Sequence, residues 1–156
     1  MLVKPNAQEI AGAQTFLRAL GADYKSRYMV KAVIAWFRQE SGSIARVYYN
    51  NPFNIRRGAA SPYSIGERTG GFLNFATMSK GFGAAAIVLQ RVGPAYGYGT
   101  VITAAKSGNP GRFLAAVALS GWDQTHYGVD MAHREEAFTT KNHLRAVYNQ
   151  IPLPVL

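Results

Sequence analysis

Residues 35–58 read AWFRQESGSIARVYYNNPFNIRRG. The stretch joins the end of an apolar helix to a polar, aromatic loop, and one acid, Glu40, stands at the junction. Upstream of it, Val30, Val33, Ile34 and Phe37 recur at helical spacing, which predicts a buried stripe on a helix that ends near Glu40. Glu40 follows Phe37 by three residues and Val33 by seven, so it falls on that stripe. Trp36 and Phe37 lie one turn below, within reach of its side chain. A carboxyl on an apolar face is desolvated, which disfavours its charged form and raises its pKa. An acid still protonated near neutral pH is what general acid catalysis requires. A second reading stands beside this one: a carboxylate at a helix end, turned to solvent or capping the next loop.

Downstream, Ser41 to Thr69 is rich in Gly, Ser, Asn, Pro and Tyr. It is too long for a bare connector in a compact domain, and loops of this length tend to carry function. Asn50-Asn51-Pro52 favours a turn. Tyr48, Tyr49 and Phe53 offer flat faces, and Asn50, Asn51 and Asn54 offer paired donors and acceptors. Sugars present apolar ring faces and hydroxyls, so this mixture suits them. The alternative is a tight loop whose asparagines satisfy its own backbone. Tyr63 to Phe75 then reads as a small hairpin turning at Thr69-Gly70-Gly71, with Glu67 on its first arm. By default Glu67 is an exposed hairpin acid near Arg68.

The remaining segments read as helices. Asn6 and Glu9 form a capping box for a helix from about Ala7 to Leu20, with Ile10, Ala13, Phe16, Leu17 and Leu20 inward. Asp23 or Ser26 caps the second helix. A third begins at Ser79, buries Phe82, Ala85, Ala86 and Leu89, and breaks at Gly93-Pro94. Tyr96-Gly97-Tyr98-Gly99 reads as a flexible aromatic loop before a short helix from Thr100 to Ser107. Asn109-Pro110 is an N-cap with Pro at the first helical position, and Gly121 closes that helix after Phe113, Leu114 and Val117. Trp122 to Gly128 is a second polar-aromatic loop. Asp130 caps the last helix, with Glu135 and Glu136 early and Arg145 late, as the helix dipole prefers. The predicted architecture is mainly α, with about six helices and one small β-hairpin lobe, in a single domain over residues 1–156.

At 156 residues the chain can bury a core of its own. Its formal charge is +9, from 17 Lys and Arg against 8 acids. An anionic partner follows: nucleic acid, an anionic membrane or an anionic cell wall. The basic residues are scattered, with only Arg56-Arg57 adjacent, which suits an extended polyanionic surface better than a DNA groove. Solubility alone is the other explanation. No run is long and apolar enough to span a bilayer, and MLVKPNAQEI has no apolar signal region. The absence of cysteine excludes disulfides and thiolate metal sites. His126, His133 and His143 lack a close-spaced ligand pair with an acid, so neither a metal site nor a cofactor is expected. There is no Walker-type loop and no Gly-x-Ser-x-Gly elbow, and Gly81-Phe82-Gly83 and Gly97-Tyr98-Gly99 lack the strand context of a dinucleotide site.

Of the 8 acids, Glu9, Asp23, Asp130, Glu135 and Glu136 read as caps or helix-surface charges. Glu40, Glu67 and Asp123 remain. A carboxyl at a helix end facing another on a hairpin is an arrangement glycosidases use. Here the residues carry a resemblance. Gln39-Glu40-Ser41-Gly42, followed by Asn51-Pro52-Phe53-Asn54-Ile55, resembles the Glu-Ser-Gly and Asn-(Leu/Pro)-Phe-Gly-Ile motifs of bacterial and phage cell-wall β-N-acetylglucosaminidases, the group that includes flagellar-type muramidases and autolysins. Phe72, Phe75 and the helix with Leu89 resemble the segment after that family's hairpin. Ser120-Gly121-Trp122 through Tyr127 is similar to its Gly-Tyr-Ala-Thr-Asp-Pro-x-Tyr motif. The likeness runs in order from about Val30 to Tyr127.

The resemblance implies a lysozyme-like fold and cleavage of β-1,4 bonds between N-acetylated sugars of peptidoglycan. It places the general acid on Glu40, the hairpin acid on Glu67, and the aromatic helper on Trp122 or Tyr127. Asn51, Phe53, Asn54, Trp122 and Tyr127 become the expected substrate-binding residues. The chain departs from the pattern at Trp122, where the family has Tyr, at Asn54, where it has Gly, and in a final motif one residue shorter. The implied partners are peptidoglycan glycan strands and the anionic wall, with no nucleic acid and no membrane span, for a monomer acting outside the cytoplasm. With no signal peptide seen, the expectation is a phage-delivered or virion-associated enzyme, or part of a larger chain. The rivals are a lytic transglycosylase using Glu40 alone, a non-catalytic wall-binding or virion structural module, and a nucleic-acid-binding helical domain favoured only by charge.

Overall fold

A computed structural model describes residues 3–92, 96–122 and 131–156, leaving aside the side chains of 131–138. Asn6 Oδ1 accepts from the Glu9 N–H and Glu9 Oε1 accepts from the Asn6 N–H, so the capping box opens α1 (Ala7–Ala19). Ser26 caps α2 (Arg27–Ser41) by accepting from the Met29 N–H, while Asp23 accepts from the Lys25 N–H in the turn before it. Then come α3 (Met78–Val92), α4 (Tyr98–Ser107), α5 (Pro110–Leu119) and α6 (Met131–Gln150). Between α2 and α3 lie two short antiparallel strands, β1 (Gly66–Arg68) and β2 (Phe72–Asn74), with Glu67 opposite Leu73. The chain is mainly helical with a small β-hairpin.

Two boundaries differ from expectation. Tyr96 to Gly99 is not all loop: Gly97, with φ +74°, makes the turn, and α4 starts at Tyr98, whose side chain is buried. Burying that ring against Trp122, with centroids 5.8 Å apart, extends the helix toward its N-terminus. The hairpin is shorter than Tyr63–Phe75, because Ser61–Tyr63 forms a 3₁₀ turn with Pro62 in its first turn. Gly93-Pro94 and Asp130 lie outside the described residues.

The core is built around α2. Ala32 to Phe37 are buried in unbroken succession, so this segment is covered all round rather than on one stripe. Helices α1, α5 and α6 pack on it. Phe16, Trp36, Phe53 and Phe113 form an aromatic centre, with Trp36 edge-on to Phe16 at 5.6 Å and to Phe113 at 6.0 Å. Gly12 lets α1 approach α3 closely, since a Cβ there would stand 2.3 Å from the Phe82 ring. Glu9 does more than cap. It is buried and receives a bidentate pair from Arg38, at 2.8 Å from Nε and 2.9 Å from Nη2, which ties α1 to the last turns of α2.

Candidate functional site

Helix α2 ends at Ser41, and Gly42, at φ +79°, turns the chain away. The following loop folds back onto the helix end through two hydrogen bonds. Ser41 Oγ donates to the Pro52 carbonyl at 2.6 Å, and Asn54 Nδ2 donates to the Glu40 carbonyl at 3.2 Å. Glu40, half-buried, therefore faces the return of its own loop. Between them opens a cleft of ≈ 520 Å³, lined by Glu40, Phe53, Asn54, the Ile55–Ala59 segment, Phe72, Val88, Val92, Tyr98 and Trp122. Among the described residues, Glu40 is the one carboxyl on its lining.

The apolar side of the cleft is continuous with the core. Phe53 is 2% exposed and lies 4.3 Å from the Trp36 ring and 6.1 Å from the Trp122 ring. Trp122 stands edge-on to Trp36 at 5.0 Å. Phe53 is thus the buried floor, while Trp122 is a half-buried wall beside Tyr98. Asn54, exposed at φ +54°, lies on the polar rim.

Asn51 is not on the cleft face. Its side chain is 1% exposed, Oδ1 accepts from the Ile55 N–H at 2.9 Å, and Nδ2 donates to the carbonyls of Ile55 at 2.8 Å and Leu73 at 2.9 Å. A buried amide saturated in this way holds the loop to β2 and has no face left for a sugar. The same clamp sets Ile55 to Arg57 beside β2, where Arg56 makes an isolated antiparallel bridge with Phe72, the Leu73 N–H donating to the Ile55 carbonyl and the Arg57 N–H to the Gly71 carbonyl. The loop also leans directly on α3: a Cβ at Gly81 would stand 1.9 Å from the Asn50 carbonyl oxygen.

Glu67 lies on β1, exposed and outside the cleft lining. Its ion-pair partner is Arg57, at 3.7 Å, not the neighbouring Arg68. Arg68 donates instead to the Leu73 carbonyl and the Asn74 side chain and lies over the Tyr49 and Phe72 rings. Tyr127, Asp123 and His126 lie outside the described residues. Among the described residues, no three His, Asp or Glu side chains converge to hold a metal ion, and no helix is long and apolar enough to cross a membrane.

The structure therefore gathers Glu40, Phe53, Asn54 and Trp122 at one cleft and leaves Glu67 beyond its lining. Sequence reasoning missed Tyr98, Arg56 and Arg57 there. A signal for the arginines existed, because the one adjacent basic pair directly follows the Asn51–Ile55 motif. No protein-family model matches the chain, and neither does any curated protein or solved structure.

Proposed function

We propose that this chain cleaves β-1,4 glycosidic bonds between the N-acetylated sugars of peptidoglycan, with Glu40 as general acid. One observation carries the reading: the carboxyl at the end of a buried helix lines a ligand-sized cleft with aromatic walls and an amide rim. Apolar sugar faces pack on the half-buried Trp122, which Tyr98 backs from beneath, while Asn54 meets hydroxyl and acetamido groups. Glu40 then protonates the departing glycosidic oxygen as the bond breaks and the sugar ring gains oxocarbenium character. The ordered resemblance to cell-wall glucosaminidases supports the same chemistry, lysozyme-like fold and wall-directed role. With no relative matched, the reading stands on the chain's own residues.

The position of Glu67 favours a second form of this reaction. A hydrolase uses a second group to direct water, and Glu67 lies outside the cleft lining, paired with Arg57 at its edge. A lytic transglycosylase needs one acid, because a hydroxyl of the substrate attacks its own anomeric carbon and closes an anhydro ring. Mass spectrometry of products from purified peptidoglycan separates the two. Ordinary reducing ends identify the hydrolase, and products one water lighter identify the transglycosylase. Walls that are bound but left intact would show a non-catalytic module and overturn the enzymatic reading.

A further inference from the structure

Arg57 is the cleft residue that this chemistry leaves unused. Its side chain is 70% exposed, yet its backbone is fixed, because the Arg57 N–H donates to the Gly71 carbonyl at 2.8 Å. Gly71 also makes room for it. At φ +76° it adopts a conformation that suits glycine, and a Cβ there would press within 3.2 Å of Arg57 Nε. Arg56 is committed elsewhere, with its guanidinium 4.7 Å over the Phe72 ring. Arg57 instead meets the Glu67 carboxylate at 3.7 Å, beyond hydrogen-bond length and in solvent. Such exposed pairs contribute little and exchange readily. A guanidinium held at a cleft wall by a weak carboxylate contact is poised to take a stronger one. Its fork matches a carboxylate in two parallel hydrogen bonds.

Resting on the proposed glycan-cleaving reading, we infer that Arg57 selects the substrate by binding a carboxylate carried on the sugar chain, releasing Glu67 as it does so. The substrate class is then an acidic amino-sugar polymer, such as wall glycan with free lactyl carboxylates, rather than a neutral polymer of N-acetylated sugars. Arg57 is a specificity residue here and takes no part in bond breaking.

The test uses wall glycan strands stripped of peptides by an amidase, so that their lactyl carboxylates are free. A second portion of the same strands has those carboxylates capped as methylamides. The sugars are the same and only the charge differs. The wild-type protein should show kcat/KM about 10-fold or more higher on the charged strands, the scale of one hydrogen bond to a charged group. In Arg57→Gln that ratio should collapse toward one, and Arg57→Lys should keep part of it, since charge remains and the fork is lost. Circular dichroism melts confirm that each variant is folded. A wild-type protein that cleaves both strands equally, or an Arg57→Gln variant that keeps the full preference, overturns the inference and leaves the glycosidase reading standing. If the wild-type protein cleaves neither strand nor intact peptidoglycan, the glycosidase reading falls and this inference falls with it.

Discussion

Two substitutions, one on the cleft lining and one in the loop behind it, separate the proposed chemistry from scaffolding. Glu40→Gln preserves the shape of the side chain and removes the transferable proton. Cleavage of purified walls should fall by at least about 100-fold, the scale of general acid catalysis, with the melting temperature little changed. A folded Glu40→Gln protein that lyses walls at near wild-type rate would take the role away from this residue. Asn51→Ala acts by another route. It strips the side-chain partner from the buried Ile55 N–H and from the Ile55 and Leu73 carbonyls, although the Ile55 carbonyl still accepts from the Leu73 N–H and the Leu73 carbonyl from Arg68 Nη1. Leaving even one such group unsatisfied costs about 1–3 kcal/mol. Urea unfolding should show a loss of at least about 2 kcal/mol, with activity falling because the loop no longer holds Asn54 at the rim. Unchanged stability with a raised KM would instead return Asn51 to the substrate-binding set. Both residues stood out in the sequence, Glu40 by its place on an apolar stripe and Asn51 by its turn motif. What the sequence could not give was orientation. An asparagine in a sugar-like loop and an asparagine locking that loop look alike until the neighbouring strand is placed, and Leu73 lies twenty-two residues away.

At the scale of elements, local signals were legible and pairings across the chain were not. The caps of α1, α2 and α5 were readable because an N-cap and its partner lie within three residues. The Gly-Gly turn of the hairpin was readable for the same reason. The start of α4 was not, because Gly97 and Gly99 weaken local helix propensity and burial of Tyr98 against Trp122 overrides it. The pairing of Glu9 with Arg38, twenty-nine residues apart, was also hidden. That pair gives the contact between α1 and α2 a testable energy. Glu9→Gln can still accept from the Asn6 N–H and so keep the capping box, but it leaves the Arg38 guanidinium poorly paired at 13% side-chain exposure. Removing one partner of a buried pair costs about 3–5 kcal/mol, and the denaturant midpoint should fall accordingly. Asn6→Ala, which removes the cap and spares the pair, should cost only about 1 kcal/mol. Equal losses in the two variants would mean that Glu9 serves mainly as a cap.

For the whole molecule, the charge excess is the feature that no single element explains. The net charge is +9, and the ion pairs Arg38 with Glu9 and Arg57 with Glu67 engage two of the 17 basic residues. Lys4, Arg18, Lys25, Arg46, Lys80, Arg91, Lys106, Arg112 and Arg145 are exposed on different elements, from the N-terminal segment to α6. Charge spread in this way does not form a groove-shaped patch. It gives a broad positive field that attracts an extended polyanion without fixing a register on it. A cell wall is such a surface, and under the proposed reading a field of this kind would hold the protein near the wall between cleavage events. Fields from exposed charges are screened beyond about 8 Å at physiological ionic strength and beyond about 3 Å at 1 M. Sedimentation of the Glu40→Gln protein with purified walls, where cleavage does not erode the substrate, should therefore show a bound fraction that falls steeply as salt rises. The cleft contacts, being short-range, should leave a smaller salt-resistant remainder that soluble glycan fragments displace. A bound fraction indifferent to salt would put the whole affinity in the cleft and reduce the +9 to a matter of solubility.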